Sequence, residues 1–202
     1  MANKPKRKGK FYRTHEFQPD TLQVSFLKTL HMTRLQRLHL LKWTLFALVW
    51  ILALTLQDVI MAHFSFFGAT TDLVPCFILL TAVAIGSELG CVFALVAALF
   101  YHFSGSAPGP YAVAFLPILS IAAGLFRENY WRRGYASDVL CAAIAMMLYE
   151  IGVFAAGTFS GLTGWYRFSV FLITGVLSVL VMLPLYPLVS KIGAIGGETW
   201  KE

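Results

Sequence analysis

Few residues in this chain are able to do chemistry, and most of those sit inside long apolar runs. Gln57 and Asp58 fall together near the end of the first run, and Glu150 lies deep in the fifth. An ionised carboxylate at the centre of a membrane-length apolar segment costs about 3 kcal/mol on insertion scales. Each therefore needs a bundle interior or a protein partner that hydrogen-bonds or protonates it. Asp58 has a second reading, a place near the outer end of its helix where it reaches headgroup water. Glu150, about fourteen residues into its helix at 1.5 Å per residue, favours the interior. His63 and His102 mark outer interfaces rather than ligand positions. Asp138 opens the fifth helix, where a carboxylate suits the positive end of the macrodipole.

These groups do not assemble into an enzyme signature. His15-Glu16 lacks the second histidine of HExxH, and neither a GxSxG elbow nor a GxxxxGK[ST] phosphate loop occurs. No span carries two carboxylates at helical spacing that would serve as an acid/base couple or metal clamp. Cys76, Cys91 and Cys141 have neither CxxC nor Cys/His spacing and read as small buried hydrophobes. The expectation is a non-enzymatic protein without cofactor or metal.

The elements that position these residues follow from composition. The chain of 202 residues is 58% apolar, 15% aromatic and 13% charged, with a mean hydropathy of +0.70. That profile is of a multi-pass membrane protein. A helix needs about twenty apolar residues to cross a bilayer, and six segments approach that length. They run from about 41 to 63, 73 to 86, 88 to 103, 111 to 126, 136 to 157 and 168 to 189. Asp72 is positioned as an N-cap for the second, with Pro75 in its first turn. Ser104 to Pro110 is the strongest turn signal, and Pro184 and Pro187 predict a kink or an end in the sixth. The second and third segments are short enough that a re-entrant pair is the alternative to two full crossings.

Charge gives the direction. Ten of the 16 lysines and arginines lie in the first 42 residues. With the N-terminus in the cytoplasm, Arg127, Arg132, Arg133, Lys191 and Lys201 join them and only Arg167 falls outside. Both termini are thus expected to be cytoplasmic, and the basic charge to meet anionic lipid rather than nucleic acid. Residues 1–20 read as a disordered basic tail. Residues 21–40 read as an interfacial helix or as a solvated extension of the first crossing. A six-helix domain over 41–190 and a cytoplasmic C-tail over 191–202 complete the plan. Gly86, Gly90, Ala94 and Ala98 recur every fourth residue and form a packing stripe, against another helix of the chain or against a second protein.

The order of these features resembles the MreD family, in its Gram-positive form, over nearly all of residues 41–190. The likeness is carried by Gln57 late in the first helix, Phe67-Gly68 and Asp72-Leu73-Val74-Pro75 before the second, and Gly86 and Gly90. Phe103-Ser104-Gly105, Gly109, Gly124-Leu125-Phe126-Arg127 and Glu150 complete it. Thr71 and Tyr101-His102 depart from the family's usual proline and aspartate, so no residue role carries over there. The resemblance implies a scaffold of the bacterial rod-shape (elongation) system in the cytoplasmic membrane. Such a scaffold binds MreC and, through it, works with MreB, RodA and a class B penicillin-binding protein in lateral peptidoglycan synthesis. It also implies a fold similar to the substrate-binding S-components of energy-coupling-factor vitamin transporters, the alternative function. In those, an Ala-x-x-x-Ala stripe meets the coupling subunit, and Ala94 to Ala98 fits one copy. Partner contact is expected along Gly86, Gly90 and Ala94 or at the outer ends near Asp72.

Overall fold

The computed structural model describes residues 34–59, 63, 65, 68–131 and 134–195. The expected basic tail, most of the 21–40 helix, Phe67, Arg132, Arg133 and Lys201 lie outside them. Among the described residues there are six α-helices: α1 (Arg34–Val59), α2 (Leu73–Ile85), α3 (Ser87–Phe103), α4 (Tyr111–Tyr130), α5 (Tyr135–Phe159) and α6 (Phe168–Gly193). A short 3-10 turn over Trp165–Arg167 leads into α6. The protein is all-α, and α1, α4, α5 and α6 are long and apolar enough to cross a membrane. The outward faces of α1 and α3 to α6 expose large apolar side chains, among them Leu52, Val92, Phe100, Ile118, Leu148 and Leu180. A surface of that kind belongs in lipid.

In the middle sits α2. Every residue of it except Ala84 is buried, and it touches all five other helices. Its 13 residues rise about 20 Å, and the 17 of α3 about 25 Å. A single residue joins them: Gly86, at φ 115°, takes a backbone conformation that side chains disfavour and turns the chain sharply back. The return brings α3 flush against α2, because a Cβ on Gly90 would lie 2.6 Å from the Cα of Ala82. Gly124 does the same for α4, where a Cβ would meet the Cα of Ser87 at 2.7 Å. Three helices are thus clamped by two missing side chains.

Two boundaries differ from the sequence reading. First, α1 is helical from Arg34 onward, so residues 34–40 extend the first crossing without a break, and Lys42 is buried. No Gly or Pro interrupts Arg34–Val59, and an uninterrupted run of helix formers has no reason to stop at 41. Second, α6 continues through Pro184 and Pro187 to Gly193. Pro187 leaves the Leu183 carbonyl without its helical donor, and the Tyr135 hydroxyl donates to that oxygen at 3.2 Å. A neighbouring helix therefore supplies what the proline removes.

Candidate functional site

Buried polar groups gather at two ends of the bundle. At the end holding the C-terminus of α4 and the N-terminus of α5, Arg127 Nε donates to Asp138 Oδ1 at 3.1 Å, with both side chains almost fully buried. Tyr186 of α6 donates to the other oxygen of Asp138 at 2.7 Å. Asp138 does sit in the first turn of its helix, but its charge is answered by α4 and α6 as well as by the macrodipole. Beside it, the Glu128 carboxylate accepts from the Ser87 backbone N–H at 2.9 Å and the Ser87 hydroxyl at 3.1 Å. An acid from α4 thereby caps α3, which has no side-chain cap of its own. Arg34, Arg37, Lys42 and Lys191 belong to this same basic end, and Arg167 to the other.

At the far end, Gln57 ties three helices. Its Oε1 accepts from the Val74 backbone N–H at 2.8 Å, and its Nε2 donates to the Tyr101 hydroxyl at 3.0 Å. Asp72 occupies the N-cap position of α2, yet its side chain does not cap the helix. Gln57 takes over that role across the interface. Asp72 instead donates its backbone N–H to Ser178 Oγ on α6 at 2.9 Å and turns its carboxyl to Glu150 on α5, within hydrogen-bonding reach. Glu150 is 2% exposed and Tyr149 fully buried, and neither the Tyr149 hydroxyl nor Glu150 Oε1 has a hydrogen-bond partner. The Cys76 thiol donates to the Ser178 carbonyl at 3.3 Å, knitting α2 further to α6.

Of the residues singled out in the sequence, Gln57, Asp72 and Glu150 converge. Asp58 does not join them directly; it is exposed at the end of α1. Gly86, Gly90 and Ala94 are buried within the chain, and Gly90 packs against Ala82 of α2, so these positions offer no face to a second protein. Ala98 is equally buried. His63 is exposed, its Nδ1 2.8 Å from the Val59 carbonyl. The three cysteines are free thiols. Among the described residues no group of three or more His, Cys, Asp or Glu side chains is placed to hold a metal ion.

Tyr149 and Ser178 are the members of this cluster that the sequence does not single out for it. A tyrosine or serine in an apolar run reads as core, and only the adjacency of Tyr149 to Glu150 hinted otherwise. Comparison with protein-family models, with curated proteins and with solved structures gives no match to this chain.

Proposed function

We propose that this protein is a non-enzymatic scaffold of the bacterial rod-shape system, of the MreD type, that binds an MreC-like single-span protein. Through that partner it positions RodA, a class B penicillin-binding protein and MreB filaments for lateral wall synthesis. In this reading all six helices cross or enter the cytoplasmic membrane. The basic end, with both termini, faces the cytoplasm, in keeping with the distribution of lysine and arginine.

The observation that carries the reading is the joint between the residues on which the family likeness rests. Gln57 meets the Asp72-Leu73-Val74-Pro75 segment through the Val74 N–H, while Gly90 and Gly124 set the two close helix approaches. Those positions have architectural work to do, which supports their being the family's spacing markers. Of the two partner surfaces expected, Gly86, Gly90 and Ala94 are buried within the chain, so this reading assigns partner contact to the far end near Asp72.

The runner-up is an S-component of an energy-coupling-factor transporter, and the polar cluster of Gln57, Asp72, Tyr101, Tyr149 and Glu150 is its one favourable feature. Against it, Ala94 and Ala98 are covered by the chain's own helices and cannot meet a coupling subunit. Affinity purification of the full chain in mild detergent separates the two. The scaffold reading expects a single-span MreC-type protein in stable association. Recovery of a coupling subunit and ATPase chains in its place would replace that reading with the transporter.

A further inference from the structure

Asp72 and Glu150 approach each other from the start of α2 and the middle of α5, within hydrogen-bonding reach. Ionised carboxylates only accept; a hydrogen bond between two of them requires a proton on one. Both residues rest on the same stretch of α6. Gly175 leaves room beside Glu150, where an added Cβ would stand 3.3 Å from its Cγ, and Ser178 holds the Asp72 amide.

The titratable groups around the pair are Cys76 of α2, Tyr101 of α3 and Tyr149 of α5, with Asp58 of α1 beyond Tyr101 and Tyr111 of α4 beyond Tyr149; α6 contributes the Ser178 hydroxyl. None is basic. Among the described residues no Lys, Arg or His forms an ion pair with either carboxyl. A second observation points into the same place: the fully buried Tyr149 hydroxyl, lying among Tyr101, Asp72 and Glu150, has no partner.

We propose that Asp72 and Glu150 form a binding site for one proton, shared between their carboxyls and lined by Tyr149 and Ser178. Two adjacent carboxylates without a cation repel strongly in a low-dielectric interior, so the pair carries one negative charge rather than two. Asp72 is only half-buried while Glu150 is interior, and the proton enters and leaves through Asp72. When it leaves, an O–H bond of the carboxyl breaks, the proton passes to water, and two anions face each other. The start of α2 then loosens from α5 and α6. This site is independent of the partner assignment, because it belongs to the isolated chain.

The test is infrared difference spectroscopy of the full chain in lipid vesicles across a pH titration, reading the C=O stretch of a protonated carboxyl. A band present at neutral pH should vanish in a single-proton step as pH rises. It should be missing in Glu150→Gln, whereas in Asp72→Asn the interior Glu150 keeps a proton of its own and the band should move in frequency and midpoint; in the wild type it should titrate identically in sodium and choline buffers. A band that is absent at neutral pH, that survives in Glu150→Gln, or that Asp72→Asn leaves at the same frequency and midpoint overturns the proposal. So does a band displaced by sodium at fixed pH, which would make the pair a metal-cation site. Should Glu150→Gln fail to fold, Asp72→Asn carries the assignment, since an isosteric amide there sits at a half-buried helix start.

Discussion

The two ends of the bundle solve the same problem in opposite ways. At the basic end a buried acid, Asp138, meets a base and a phenol, and the charges balance locally. At the far end a buried acid, Glu150, meets another acid, and the nearest groups are hydroxyls and a carboxamide. The first arrangement is a fixed fastening whose members depend on each other. The second stays neutral enough to be buried only while a proton is held. Deleting a charge should therefore be damaging at one end and mild at the other.

The largest effect is expected from a change that disturbs both ends at once. Gly90→Leu forces a side chain into the backbone of Ala82, and overpacking of that severity costs more than about 3 kcal/mol. Size-exclusion chromatography should show loss of the monodisperse species; an unchanged yield would mean that the α2–α3 contact does not hold the bundle.

Next comes Asp138→Ala, which leaves Arg127 buried without its partner and should cost about 3–5 kcal/mol. The double variant Arg127→Met with Asp138→Leu should recover much of that loss in thermal denaturation. If the double is as damaged as the single, the fastening is not an ion-pair effect.

At the far end, Gln57→Leu removes the acceptor of the Val74 N–H and the donor to Tyr101. The expected cost is about 1–3 kcal/mol. Glu150→Gln keeps a hydrogen-bonding group and removes an acid, so its melting temperature at neutral pH should match the wild type to within about 1 kcal/mol of stability. Raising the pH above the ordinary carboxyl range should destabilise the wild type, because its folded pair keeps a proton that the unfolded chain releases, and leave the variant unmoved. Parallel pH curves for the two proteins would erase the contrast between the ends. Smallest of all, Asp58→Asn at its exposed position should stay within about 0.5 kcal/mol.

Much of this architecture was legible beforehand because hydropathy, turn residues and helix length are local properties. The limits of α3, the loop before Tyr111 and the acid at the start of α5 all follow from neighbouring residues. What escaped was long-range. Nothing adjacent to Pro187 announces that Tyr135 will satisfy Leu183, so of the two expectations, a kink or an end, the end does not occur. Asp72 was correctly positioned at the head of α2, but the group that satisfies Val74 comes from Gln57, 17 residues away. The small-residue stripe announced a close contact without naming its partner, and only the one-residue turn at Gly86 decides for α2. Tyr149 and Ser178 were silent because a single polar atom in an apolar run acquires meaning only from what faces it.

The central position of α2 has a consequence for how the chain is made. At 13 residues it is oily enough for the bilayer but too short to span one unaided, since about twenty are needed. Nascent α1, α4, α5 and α6 can each lodge in lipid as they leave the insertion machinery, whereas α2 must wait for walls. Its last wall, α6, is synthesised nearly a hundred residues later, so chains truncated before that point should leave the early hairpin unsettled and exposed to quality-control proteases.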